Sequence, residues 1–315
     1  MKKFGIVIHG GAGTITKATM TPDKESAYKS SLQSAIETGY KILENGGTAM
    51  DAVEAAVSEL EDKPLFNAGK GAVLTHDKKY EMDASIMCGK TLEAGAIAGV
   101  RNIKNPVKLA RTVMEKSEFV LLAGPNAQEF ARANGIEIES DEYFYTKERY
   151  DQLLKAIETG RSFLDHTVFQ EDLKEKKLGT VGAVALDMNG DLAAATSTGG
   201  MTNKRYGRVG DTPLIGCGTY ANNKTCAVSC TGSGEYFIRA VAAYDVSAMM
   251  EYGGKSLKEA CEHLVFVRLK KINGDGGLIA IDADCNIDMS FNSEGMYRGY
   301  STNDKDIFVE IYGGA

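Results

Sequence analysis

Apolar positions along the chain fall into short continuous runs and longer stretches with a helical period. Residues 4–8 form an apolar run that predicts a buried first strand, ending at His9-Gly10-Gly11-Ala12-Gly13. Apolar side chains then recur at helical spacing in Leu32, Ala35, Ile36, Tyr40 and Leu43, and Gly46-Gly47 stops them. Thr48, with Asp51 three residues on, reads as the N-cap of a helix continuing over 52–60. Strands are predicted at 71–75, 82–88 and 94–100, and helices at 107–116, 127–134 and 148–158.

The character changes between residues 140 and 178. Gln170-Glu171-Asp172-Leu173-Lys174-Glu175-Lys176-Lys177 is dense in charge, which predicts a solvated face or loop and a protease-sensitive linker. Directly after it the chain turns apolar and β-like. Residues 180–187 predict a buried strand, Asp187-Met188-Asn189-Gly190 a turn, and 192–198 a second strand. A strand at 226–230 runs into Thr231-Gly232-Ser233-Gly234, followed by helices over 235–250 and 256–271 and strands at 277–281, 287–291 and 307–312. Strands clustered against helices in two layers favour an α/β (α+β) sandwich over a strictly alternating parallel sheet.

With 315 residues, 43% hydrophobic and 25% charged, the chain suits one large globular domain or two intimately packed ones. Glycine (35) far outnumbers proline (5), which asks for tight turns and close backbone approaches. A net charge of −7 argues against nucleic acid and anionic membranes as partners. No run approaches the roughly 18 apolar residues of a membrane span. Met1-Lys2-Lys3 leads straight into the first apolar run, which reads as a core strand rather than an export signal. None of the six cysteines forms a C-x-x-C pair, so they fit small buried hydrophobes kept reduced in a cytosol. Cys226, Cys230 and His263 lack the spacing and fourth ligand of a zinc site.

Familiar nucleotide and hydrolase motifs fail. Gly254-Lys255-Ser256 has Met249 where a phosphate loop needs its first glycine, and Gly11-Ala12-Gly13 has Thr16 at the third glycine of a dinucleotide fingerprint. No G-x-S-x-G elbow accompanies His9-Gly10-Gly11. His9, His76, His166 and His263 are scattered, none beside an evident nucleophile, and each reads as structural. A hydroxyl nucleophile here needs another base, and the α-amine of an N-terminal threonine, with a pKa of about 7.7–8.0, is one solution. Gly179-Thr180-Val181-Gly182 opens a buried strand just after a polar linker, so a break before Thr180 would expose such an amine. Gly-Thr is also a common strand start, and this stretch alone leaves both readings open.

The surrounding motifs are more specific. Thr196-Ser197-Thr198-Gly199-Gly200-Met201-Thr202-Asn203-Lys204, Gly207-Arg208-Val209-Gly210-Asp211, Ser229-Cys230-Thr231-Gly232-Ser233-Gly234-Glu235, His9-Gly10-Gly11-Ala12-Gly13 and Pro64-Leu65-Phe66-Asn67-Ala68-Gly69-Lys70-Gly71 follow one another in order. Together they resemble the plant-type L-asparaginase and isoaspartyl peptidase family of N-terminal nucleophile hydrolases. The resemblance implies a four-layer αββα sandwich, self-cleaved into an α subunit, 1–179, and a β subunit, 180–315, that make one domain. It implies Thr180 as nucleophile, freed by cleavage of the Gly179–Thr180 bond, Thr198 bonded to its hydroxyl, and Asn67 supporting the site. Thr231 and Gly232 become the oxyanion hole and, with Gly234, line the substrate site. Arg208 takes the substrate α-carboxylate and Asp211 the α-ammonium. Carbonyls of Leu60, Glu61, Lys63, Phe66, Ala68 and Lys70 correspond to a structural sodium loop, with no cofactor for catalysis. A dimer of cleaved αβ units in the cytoplasm, acting on small molecules, completes the expectation.

Elementary chemistry supports these roles. A zwitterionic head group needs a cation and an anion close together, and Arg208 and Asp211 supply both; each charge-assisted hydrogen bond is worth roughly 1.5–3 kcal/mol. The bland alternative is that the two merely pair with each other at the surface. Thr231 and Gly232 are expected in a glycine-rich turn at a helix entrance, where Thr231 has a plain helix cap as its alternative role. Lys204-Arg205-Tyr206-Gly207 puts bulky residues before Arg208 and bears on leaving-group preference. The expected activity is hydrolysis of isoaspartyl dipeptides and L-asparagine to L-aspartate. Its rivals are a glycosylasparaginase-like enzyme, whose relatives are generally exported, a threonine endopeptidase of the same fold, and a non-catalytic binding protein.

Overall fold

The first strand, β1 (Gly5–Gly13), does not end at its glycines but runs through them, buried along its whole length. Close approach is the reason: a methyl group at Gly10 would lie 2.5 Å from the Phe66 ring, and one at Gly11 2.6 Å from the Gly179 nitrogen. The computed structural model describes residues 2–159, 179–304 and 306–313, so the charged run and the linker expected there lie outside the described residues.

After β1 come α1 (Pro22–Glu44), α2 (Ala49–Glu61), β2 (Met82–Cys88), β3 (Ala94–Val100), α3 (Pro106–Lys116), β4 (Leu121–Ala123), α4 (Gly124–Ala133), α5 (Asp141–Phe144) and α6 (Lys147–Glu158). From residue 179 on follow β5 (Val181–Leu186), β6 (Leu192–Thr198), β7 (Thr219–Ala221), β8 (Cys226–Gly232), α7 (Gly234–Ala240), α8 (Ala242–Glu251), α9 (Leu257–His263), β9 (Gly276–Asp282), β10 (Ile287–Asp288), β11 (Gly295–Thr302) and β12 (Ile307–Tyr312). Thr21 and Thr48 cap α1 and α2 by accepting the Lys24 and Asp51 amides, and Pro22 opens α1.

An eight-stranded sheet runs in the order β12-β11-β1-β5-β6-β2-β3-β4, and a four-stranded one in the order β10-β9-β8-β7. Among the described residues the paired strands are antiparallel except β3 and β4, and one isolated bridge, Ile215 to Thr219, is also parallel. The sheets stack face to face, with α1, α2 and α3 on the outer face of the large one and α8 and α9 on that of the small one. One apolar core lies under each helical layer, and a third, including Val7, Val184, Ala194, Ala227 and Ile279, fills the space between the sheets. The result is the expected α/β four-layer sandwich. Strands from either side of residue 179 interleave, with β1 between β11 and β5 and β6 beside β2.

Four elements depart from expectation. Residues 71–75 form no strand, because their amides and carbonyls serve a loop: the Asn67 side chain accepts the Val73 amide, and Leu74 accepts that of Asn203. The helix expected over 235–250 breaks at Val241, left-handed at φ 49°, into α7 and α8; the first amides of α8 instead reach the carbonyls of Gly216 and Cys217. The helix expected over 256–271 begins as α9 and widens into a π-helix, Leu264–Leu269. The strand expected over 287–291 is reduced to β10. Among the described residues no helix is long and apolar enough to cross a membrane.

Candidate active site

Thr180 stands just before β5, and its place follows from the β5–β6 hairpin. Val181 pairs with Ser197, which brings Thr180 alongside Thr198 at the end of β6. Both are buried, and the Thr180 Oγ1 hydroxyl donates to Thr198 Oγ1 over 3.2 Å. Thr198 Oγ1 also accepts the Gly200 amide at 3.0 Å. Asn67 holds that turn from the other side, donating to the Gly200 carbonyl at 2.8 Å while its own carbonyl accepts the Gly199 amide. A methyl group at Gly199 would meet Asn67 Oδ1 at 2.5 Å, so the glycine makes this clamp possible.

On the other side of Thr180, Gly179 is pressed against two segments. A methyl group there would lie 2.9 Å from Thr231 Oγ1 and 3.0 Å from Gly11 Cα. Thr231 is not a helix cap: it sits within β8, fully buried, and its hydroxyl oxygen accepts the Ala12 amide at 3.2 Å, while Ser233 occupies the N-cap of α7. Thr231 and Gly232 therefore end a strand rather than forming a turn at the helix entrance. Gly232, at φ 151°, has the Asp275 carbonyl 2.4 Å from where a methyl group would be, a position only glycine can fill.

Arg208 and Asp211 do not pair with each other as the bland alternative required. Arg208 Nε and Nη2 donate to the two carboxylate oxygens of Glu235 at 2.9 and 2.8 Å. Burial works against ionising Glu235, but the Arg208 hydrogen bonds win and hold its pKa below the ordinary range. Asp211 is 4% exposed, and its Oδ2 has no partner among the described residues. Burial pushes its pKa to about 7, against a backbone hydrogen bond and the Arg208 charge. A methyl group at Gly234 would lie 2.8 Å from Asp211 Oδ1 and 3.1 Å from Arg208 Nη2, so this glycine keeps open a space flanked by a cation and an anion. Upstream, Lys204 is buried and donates to the Glu81 carbonyl at 2.7 Å, while Tyr206 is 99% exposed. Of the bulky residues expected beside the site, Lys204 is the one that packs there, its Nζ 3.0 Å from where a methyl group at Gly200 would be.

The 60–71 segment folds tightly on itself. Methyl groups at Gly69 and Gly71 would lie 2.4 Å from the Glu61 carbonyl oxygen and 2.0 Å from that of Phe66. The carbonyls of Lys63 and Ala68 each accept one backbone amide, which leaves each a second lone pair, whereas that of Leu60 accepts both the Asp62 and Lys63 amides.

Two contacts of these candidate residues had no signal in residue spacing. Glu235 is one, and His9 is the other: its Nδ1 lies 3.0 Å from the Thr180 carbonyl oxygen and its Nε2 2.9 Å from Ser229 Oγ. Burial lowers the His9 pKa to about 3, so the ring is neutral.

A family profile described as Asparaginase matches residues 1–311. The chain is 56% identical to a protein named isoaspartyl peptidase from Escherichia coli (strain K12), over 95% of this chain and 93% of that one. It is 54% identical to another of that name from Salmonella typhimurium, over 95% and 96%. A probable isoaspartyl peptidase/L-asparaginase 2 from Arabidopsis thaliana is 40% identical over 99% and 100%. With a family match along nearly its whole length and the sandwich architecture to go with it, this chain belongs to the asparaginase family that its motifs resemble.

Proposed function

We propose that the chain is a self-activating threonine amidohydrolase that converts isoaspartyl dipeptides and L-asparagine to L-aspartate. The observation that carries this reading is the Thr180 hydroxyl bonded to Thr198, immediately after a glycine pressed against the Thr231 hydroxyl. The names of the relatives point to the same substrates.

In the intact chain the Thr180 nitrogen is an amide and no base. The Thr180 hydroxyl attacks the Gly179 carbonyl, and an N-to-O acyl shift gives an ester. Water opens it, leaving a carboxylate on Gly179 and a free amine on Thr180. That amine then takes the proton of its own hydroxyl as Oγ1 attacks the side-chain carbonyl of asparagine or the β-linked peptide carbonyl. The developing oxyanion faces the Thr231 hydroxyl and Gly232 N–H; removing one such donor typically costs about 2.7–4 kcal/mol. Ammonia or an amino acid departs with the proton, and water hydrolyses the aspartyl ester. Arg208 and Asp211, with Gly234 between them, hold the substrate's carboxylate and ammonium, and Asn67 positions Thr198 through Gly200.

Fragments 1–179 and 180–315 stay associated in this scheme, because separating them would tear the large sheet at its interleaved strands. The carbonyls of Leu60, Glu61, Lys63, Phe66, Ala68 and Lys70 suit a sodium ion in donor type, all hard neutral oxygens. The ion's part is to brace the loop carrying Asn67. Assembly as a dimer of αβ units in the cytoplasm belongs to the same proposal, and six free cysteines are compatible with a reducing compartment.

Intact-mass analysis and N-terminal sequencing, run beside assays on asparagine, an isoaspartyl dipeptide and a glycosylated asparagine, test the reading. The expected result is a second amino terminus at Thr180 and turnover of the first two substrates. Active protein carrying only the Met1 terminus overturns it.

A further inference from the structure

We propose that His9 is a positioning residue that fixes the carbonyl of Thr180 and ties the nucleophile to the strand carrying Thr231. The inference rests on the Thr180 nucleophile proposed above.

Chain termini fray unless something holds them. Once the bond to Gly179 opens, Thr180 keeps two polar tethers: its hydroxyl on Thr198, which must let go of its proton during the reaction, and its carbonyl on His9. Only the second stays constant through catalysis. His9 is the β1 partner of Gly182 on β5, two residues beyond Thr180. A methyl group at Gly182 would lie 2.5 Å from His9 Nε2 and 2.0 Å from Ser229 Oγ. That glycine is what lets the ring cross from the large sheet to the small one.

The proton directions follow from the chemistry of each group. A carbonyl only accepts, so His9 Nδ1 carries the hydrogen and Nε2 is bare. Ser229 must then donate to Nε2. Thr196 donates to Ser229 across 2.7 Å and Thr219 to Thr196 across 2.5 Å. Ser85 Oγ packs 2.8 Å from Thr219 Oγ1 at the end of the chain, its one hydrogen shared between that oxygen and the Thr212 carbonyl 2.6 Å away. All five side chains are fully buried, and they come from β1, β8, β6, β7 and β2, so the network bridges both sheets. Ser229 and Thr231 are two apart on β8 and share its face. Fixing the ring against Ser229 therefore sets the gap between the nucleophile and its oxyanion donor. Both ring nitrogens are engaged, which leaves none to act as base toward the Thr180 hydroxyl. A neutral ring, as burial enforces, suits a fixed donor.

The test compares His9→Leu, His9→Asn and Ser229→Ala with the parent enzyme, each first checked for a native melting transition. His9→Leu removes the donor, whereas the Asn amide nitrogen can take the place of Nδ1. Misplacement of a reacting group by about 1 Å costs on the order of 10²-fold. The expected result is a fall in kcat of about 10- to 100-fold for folded His9→Leu on asparagine, with KM within about twofold. His9→Asn should recover most of that loss, and Ser229→Ala should lie between. Should His9→Leu not fold, the same ordering of kcat between His9→Asn, Ser229→Ala and parent is the criterion. Parental kcat in folded His9→Leu, or equal loss in kcat and KM with no recovery in His9→Asn, overturns the proposal. A parent enzyme that neither cleaves itself nor hydrolyses asparagine overturns the earlier reading instead.

Discussion

Around Thr180 the polar groups are matched to one another: its hydroxyl to Thr198, Thr198 to Gly200, Gly200 to Asn67, and its carbonyl to His9. Around Asp211 they are not. Among the described residues a buried carboxylate oxygen stands without a partner and the neighbouring guanidinium is engaged along one edge, and the Asp211 pKa is raised to about 7. The first region is complete before any substrate arrives, as preorganised catalysis requires, since nothing there has to reorganise during bond making. The second is completed by the ligand. On the proposed reading a substrate ammonium supplies the hydrogen bond and charge that Asp211 lacks, so the fold carries a desolvation cost until binding relieves it.

The largest effect should come from emptying the satisfied region of its reactive atom. Thr180→Ala removes a single 3.2 Å hydrogen bond, at about 1 kcal/mol of stability, and leaves the fold standing. Hydrolysis should fall by more than about 10⁴-fold, the scale for losing a nucleophile, and gels should show one uncleaved chain. A Thr180→Ala protein that still splits, or still turns over asparagine, would erase the distinction between the two regions.

Next in size is Asp211→Asn, where activity and stability should move in opposite directions. The Asp211 pKa rises from 3.8 to about 7 on folding. Ionising it in the folded state is therefore unfavourable, a cost that builds as pH climbs from 3.8 to 7 and is complete above that. Asn carries no such cost, so the variant should melt several degrees higher at pH 8 and show little gain at pH 4. Its kcat/KM should drop about 10²-fold, because the substrate ammonium is left without its counter-charge. Melting curves at the two pH values, beside kinetics, check both signs, and a variant that loses stability at pH 8 would place Asp211 among the satisfied groups.

The contrast was unevenly legible in the sequence. Strands rich in apolar and small residues, such as Met82–Cys88 and Leu192–Thr198, were readable because burial on both faces keeps large polar side chains out, even though Asp83, Ser85, Thr196, Ser197 and Thr198 are buried within them. The strand Gly295–Thr302 was not: it carries glycines and Arg298, and Gly299 is there because a methyl group would lie 2.4 Å from the Phe308 carbonyl. Residues 71–75 have a strand's composition but are held by Asn67 and Asn203, partners that composition does not reveal. Thr180, Thr198, Arg208 and Asp211 were legible as ordered motifs, yet the bidentate partner of Arg208 lies 27 residues away and the histidine on Thr180 171 residues away. Such contacts are set by strand register, which local spacing does not encode.

The smallest effect, and the finest separation of the two regions, belongs to Glu235. It occupies the Nε and one Nη2 hydrogen of Arg208, which leaves the opposite edge of the guanidinium for a substrate carboxylate. Glu235 thus aims the cation rather than blocking it. Glu235→Gln keeps one acceptor and loses the charge, so KM should rise about three- to tenfold while kcat holds, since one charged hydrogen bond is weakened away from the reacting atoms. The same carboxylate adds to the upward shift at Asp211, so its removal should lower that pKa. Ionised Asp211 is the form that binds an ammonium, so the acid limb of kcat/KM should move to lower pH. On the proposed mechanism the acid limb of kcat should stay put, because in the bound complex Asp211 is already paired and a freed Thr180 amine, for which the ordinary α-amine value is about 7.7–8.0, sets that limb. A Glu235→Gln profile in which kcat shifts and kcat/KM does not would mean that Glu235 acts on the nucleophile after all.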